Sequence, residues 1–124
     1  MPVRSLNSSV LKWPDRQTID QSVRQWVSTL VSNRPDILRV GYFGSYAKND
    51  WGVGSDLDII VVVTQSKKPF WQRSLEFDLT NLPIPSEILV YTRDEWEEMR
   101  KERRRFCRTV EQEAVWIYEN KEGA

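Results

Sequence analysis

The run Ile59-Ile60-Val61-Val62-Val63 restricts the fold of this chain more than any other stretch. It is too short for a helix, and every side chain in it is β-branched, so it reads as a buried strand. Two acids, Asp56 and Asp58, stand directly ahead of it. Residues two apart on a strand share a face, which brings both carboxylates side by side to the strand mouth. Like charges so placed repel unless a cation lies between them. A hard divalent ion with oxygen ligands, Mg²⁺ above all, suits such a pair.

Upstream, the apolar run Leu38 to Phe43 predicts another strand, ending at Gly44-Ser45. A glycine there lets the backbone approach a ligand with no Cβ in the way. The following turn, opening into a short helical segment, aims successive N–H groups at an anion, and the Ser45 hydroxyl adds a donor. This is an arrangement that cradles phosphate. The loop between holds Trp51, which could cover a nucleobase or simply pack, and Ser55, which could donate to a phosphate or shape the turn.

Gly-Ser, ten residues, Asp, one residue, Asp, with a strand on each flank, resembles the signature of the polymerase-beta-like nucleotidyltransferase superfamily. The short chain is similar to its minimal (MNT) members. The resemblance implies that Gly44, Ser45, Lys48 and Ser55 bind the nucleotide and that Asp56 and Asp58 hold metal. Lys48 sits where the family usually has Arg or Lys; Asn49 replaces a frequent Gly and is among the few other residues that tolerate φ > 0. Glu87 opens the next predicted strand, Glu87 to Tyr91, where the family carries its third metal carboxylate, usually Asp. It is therefore assigned with Asp56 and Asp58 as catalytic and metal-binding. A solvated strand-end acid is the competing reading.

The remaining elements frame this site. Pro14-Asp15 starts a helix whose Ile19, Val23, Trp26, Val27, Leu30 and Val31 form one apolar stripe, and Asn33-Arg34-Pro35 ends it. Phe70, Trp71, Leu75, Leu79 and Leu82 predict a second helix over 69–81, packed on the sheet. Thr92-Arg93-Asp94-Glu95 is a capping box that begins a third, with Trp96, Met99, Phe106 and Val110 inward and Lys101, Arg103, Arg104, Arg105 and Arg108 as a cationic cluster. Ala114 to Tyr118 is a last short strand, and residues 1–13 read as an arm. Alternating helices and strands predict one α/β domain over 1–124, a mixed sheet with helices packed on it. The resemblance makes it the polymerase-beta-like nucleotidyltransferase core.

Composition narrows the chemistry. The chain has no histidine, which removes Ser-His-Asp and Cys-His nucleophiles and the commonest zinc ligands. Eighteen basic against eighteen acidic residues argue against gripping nucleic acid by bulk charge, so RNA contact is not favoured. The lone Cys107 and the lack of a long apolar stretch predict a soluble, cytoplasmic protein without disulfide or membrane span. The resemblance implies two-metal nucleotidyl transfer with Mg²⁺ or Mn²⁺, moving AMP from ATP to a hydroxyl acceptor. It implies as partner a small helical HEPN-domain protein, in a toxin–antitoxin pair. The six tryptophans are more than so small a core can readily bury in full, which also suggests a partner surface, involving Trp51 or the basic helix. The alternative is a binding module that masks a HEPN ribonuclease without turnover.

Overall fold

In a computed structural model, which describes residues 13–120, the first helix begins where Asp15 caps it. The Thr18 N–H donates to Asp15 Oδ1 at 2.9 Å, and α1 (Arg16–Asn33) buries Ile19, Val23 and Val27. The other helices are α2 (Ser45–Lys48), α3 (Phe70–Arg73), α4 (Arg93–Lys101) and α5 (Arg105–Glu113). Strands β1 (Ile37–Phe43), β2 (Leu57–Val63), β3 (Ser86–Thr92) and β4 (Val115–Glu119) form one sheet in the order β3-β2-β1-β4. Strand β1 is antiparallel to β2 and β4, while β2 and β3 are parallel. The expected arm lies, apart from Trp13, outside the described residues.

Strand β2 is central and buried on both faces, which explains its unbroken apolar run. On one face Val40, Tyr42, Ile59, Val61, Ile88 and Val90 pack with α1 into the larger core. The other face has three cross-strand rows, set by register: Arg39-Val62-Tyr91, Gly41-Ile60-Leu89 and Phe43-Asp58-Glu87. Helices α4 and α5 cover this face with Trp96, Met99, Phe106, Cys107 and Val110. Gly41 leaves room for β4, because a Cβ there would lie 2.7 Å from the Val115 carbonyl and 2.9 Å from the Trp116 ring.

Two expected helices come out differently. The predicted helix over 69–81 is a single turn, α3, followed by a 3₁₀ turn (Ser74–Glu76) and, from Phe77, an irregular segment that turns at Thr80-Asn81. Tertiary hydrogen bonds outweigh the helical spacing here. The Trp26 indole donates to the Asp78 carbonyl at 2.8 Å, and the Asp78 carboxylate accepts from the Thr80 N–H and hydroxyl. Phe77, Leu82 and Ile84 enter the core instead, and Phe70, Trp71 and Leu75 stay exposed. The third helix begins at its capping box as expected but breaks into α4 and α5, with Arg103 at φ 55° between them.

Candidate active site

Helices α4 and α5 pack over the inner rows of the sheet, and the row Phe43-Asp58-Glu87 lies at the strand ends. Asp58 is the second residue of β2, half-buried between β1 and β3; Asp56 precedes the strand and is exposed, as is Glu87. Parallel register sets Glu87 directly beside Asp58, a neighbour relation that no local spacing in the sequence encodes. On the other side Phe43 meets Phe106 edge to face, at 5.6 Å between ring centroids. Sequence reasoning missed this aromatic wall, because it needs the β1–β2 register and the α5 position together.

The chain turns sharply after Phe43. Gly44 adopts φ 79° and ψ −152°, a region costly for side-chain-bearing residues, and a Cβ there would collide with Asp58 Oδ2. Helix α2 follows at once. Its first internal hydrogen bond runs from the Lys48 N–H to the Gly44 carbonyl at 3.1 Å, so the N–H groups of Ser45, Tyr46 and Ala47 precede the helical ladder. Tyr46 fixes this turn: it is fully buried and its hydroxyl donates to the Pro14 carbonyl at 2.9 Å. Asn49 ends α2 in the left-handed conformation, φ 62°.

The structure therefore brings Gly44, Asp58 and Glu87 together, with Ser45 next in chain and Asp56 beside the strand mouth. Lys48 is exposed on α2. Ser55 shapes the intervening loop, its Oγ accepting from the Gly52 N–H at 2.8 Å. Trp51 stacks on Tyr46 with rings 5.6 Å apart and nearly parallel, which engages one face of the indole in the core.

Burial pushes the Asp58 carboxyl above its usual range, and the charges of Glu87 and then Asp56 push it further. Among the described residues no ion pair or side-chain hydrogen bond reaches any of the three acids. Nor, among those residues, do three such ligands converge around one point. The donor set nonetheless fits Mg²⁺, which binds through one or two carboxylates plus substrate phosphates and waters rather than through a closed protein cage.

The chain belongs to the nucleotidyltransferase domain family, whose model matches residues 23–117. No curated protein sequence matches it. Its fold is similar to a presumed nucleotidyltransferase from Sulfolobus solfataricus, with TM-score 0.62 and 19% identity over 87% of this chain and 86% of that one. It is also similar to a toxin–antitoxin structure with AMP-PNP, with TM-score 0.54 and 17% identity over 80% and 75% of the two chains. A variant of the toxin–antitoxin MntA–HpeT gives TM-score 0.51 and 16% identity over 79% and 72%. The mixed four-stranded sheet with its helices is the polymerase-beta-like nucleotidyltransferase core. Among the described residues, no helix is long and apolar enough to cross a membrane.

Proposed function

We propose that this domain transfers a nucleoside monophosphate, AMP from ATP, to a hydroxyl on a partner protein. The observation that carries this reading is the contact of the Gly44 turn with Asp58, which lies in one row with Glu87. A phosphate seat and a set of oxygen ligands adjoin there. The backbone at Gly44 and Ser45, with Lys48, would hold the β- and γ-phosphates; Asp56, Asp58 and Glu87 would hold two divalent ions, Mg²⁺ or Mn²⁺. Such ions, when bound, offset phosphate charge and lower the pKa of an acceptor hydroxyl. The hydroxyl oxygen attacks the α-phosphorus in line as its proton passes to solvent water, the bond from the α-phosphorus to the bridging α–β oxygen breaks, and pyrophosphate leaves.

A protein acceptor is favoured by exposure. Asp56 and Glu87 are open to solvent, so the row can meet a hydroxyl carried on a large surface. The solved structures of similar fold include toxin–antitoxin assemblies, which supports pairing with a toxin, of the HEPN helical class that the sequence resemblance implies. The test is incubation of the chain with labelled ATP, Mg²⁺ and the product of the adjacent reading frame. Labelled partner is expected, and Asp58→Asn should abolish it. Label appearing only in RNA or in a small molecule would refute the protein acceptor.

The second reading is an antitoxin that masks its partner without turnover, and Glu87, standing beside Asp58 where the family usually carries Asp, favours it. Asp56→Asn/Asp58→Asn separates the two. A masking protein keeps full protection of cells from the partner; a transferase loses it.

A further inference from the structure

Three other rings brace Phe106. Phe43 meets it edge to face at 5.6 Å between centroids, Trp96 does so at 6.4 Å, and Tyr91 lies tilted against it at 6.2 Å. Even so, Phe106 and Phe43 both stay part-exposed, while Cys107 and Val110 of the same helix are buried. An uncommon backbone conformation puts the ring there. Helix α4 stops at Lys101, and Arg103, with φ 55°, turns the chain so that α5 starts with Phe106 in its first turn. A ring so braced, with surface left open, has little freedom to lose when something binds to it.

Strand register sets its position relative to the carboxylates. Phe43 is the β1 residue directly opposite Asp58, so the two side chains rise from the same face of the sheet, about 5 Å apart at Cβ. Phe106 neighbours Phe43 in this row and Tyr91 two rows inward, and so stands between the carboxylates and the α4–α5 layer. The two neighbours of Asp58 in its row differ in chemistry: Glu87 is an acid, Phe43 an apolar ring. Trp51, the other aromatic beside the phosphate turn, lies on Tyr46 against the larger core, on the α1 side.

We propose that Phe43 and Phe106 seat the nucleobase of the donor nucleotide, with Phe106 as the stacking platform. This rests on the nucleotide site proposed above and adds to it the residues that hold the base. In-line transfer puts the acceptor hydroxyl and the leaving pyrophosphate on opposite sides of the α-phosphorus, so the ribose departs sideways from that axis. The base then lies one sugar away, a distance on the order of one to two strand spacings, about 5–10 Å. With the phosphates at the Gly44 turn and Asp58, the Phe43–Phe106 pair lies within that reach on the carboxylate face. Stacking uses the face of the base and asks for no polar partner, which suits an apolar wall.

Isothermal titration calorimetry on the full chain, with Mg²⁺ and either ATP or inorganic tripolyphosphate, separates the base from the phosphates. Phe106→Leu keeps an apolar group against Phe43, Tyr91 and Trp96 but removes the ring face. It should weaken ATP binding about tenfold and leave tripolyphosphate binding within about twofold of the wild type. Phe106→Tyr, which keeps the ring, should bind both as the wild type does. Retained tripolyphosphate binding also shows that the leucine variant is folded. A leucine variant that binds ATP like the wild type would overturn the proposal. So would one that loses ATP and tripolyphosphate in equal proportion, because the ring would then only support the phosphate seat. A wild type that binds neither ligand would remove the nucleotide site itself, and the base seat with it.

Discussion

Gly44 and Asp58 meet across the β1–β2 pair, the turn backbone of one lying where a single added carbon would strike the carboxylate of the other. The glycine is therefore required twice, once for its positive φ and once for this approach. Gly44→Ala should lower stability by about 1–3 kcal/mol and displace the Asp58 side chain. Urea unfolding and titration with a fluorescent ATP analogue would read both effects. Wild-type values in both would show that the turn has slack and that the contact does not shape the site.

Asp58 carries a raised pKa because burial and two neighbouring acids disfavour its charge. An acid with a folded-state pKa above its unfolded value is destabilising once deprotonated, so stability falls as pH rises through that range. Removing the charge should reverse this. In metal-free buffer near neutral pH, Asp56→Asn/Asp58→Asn should raise the thermal midpoint by roughly 2–4 °C. Nucleotidyl transfer should fall at least about a thousandfold, since a metal-assisted step loses several kcal/mol with its ligands. A marked loss of midpoint would instead make these acids structural.

Glu87 is tested by ligand-linked stability. ATP with Mg²⁺ binds only the folded chain and should raise its midpoint more than ATP alone. If Glu87 shares in holding the ion, Glu87→Gln weakens binding about tenfold and removes about 1.4 kcal/mol, or roughly 3–5 °C, of that shift. Differential scanning fluorimetry with and without the metal decides it. An unchanged metal-dependent shift, with transfer intact, would leave Glu87 as a solvated strand-end acid.

These three residues also mark how far the chain was legible without coordinates. Strand β2 was plain, because a run of β-branched residues admits little else, and the α1 and α4 starts were plain because Asp15 and Thr92 cap them through local hydrogen bonds. The Asp58–Glu87 pairing rested on family resemblance. It depends on parallel register across a long crossover, which no short-range pattern sets. The helix expected over 69–81 failed for a related reason. Its spacing was helical, but the indole of Trp26, far away in sequence, takes the Asp78 carbonyl, and Arg73 turns inward to Glu95. The α4–α5 break carries no glycine or proline; Arg103 takes up the left-handed conformation that a sequence pattern would assign to Gly or Asn.

A carboxylate in the opposite electrostatic situation controls the acid limit of the fold. Burial alone would raise the pKa of Glu111, but hydrogen bonds from Arg39 and the Trp96 indole, with the charge of Arg39 and a hydrogen bond from Arg100, outweigh it and hold the group at about 2. The contacts are short: Arg39 at 2.8 and 3.1 Å, Trp96 at 2.7 Å and Arg100 at 3.1 Å. Arg39 also stacks on Trp116 at 3.7 Å, so this one acid links β1, β4, α4 and α5. Its folded pKa lies below the ordinary value of 4.5, which means its stabilisation is complete above that pH and drains away as the pH falls toward 2. Glu111→Gln removes the charge at every pH and leaves half-buried Arg39 with only its longer ion pair to Glu119, at 3.5 Å, at a cost of about 1–3 kcal/mol near neutrality. Between pH 4.5 and 2, the variant should lose stability with a shallower slope than the wild type, since one fewer proton is taken up on unfolding. Urea midpoints measured at half-unit steps across that window give the two slopes directly. Parallel curves would mean that Glu111 is protonated no differently in the folded and unfolded chains, and that its contacts to Arg39, Trp96 and Arg100 do not set the acid limit of the fold.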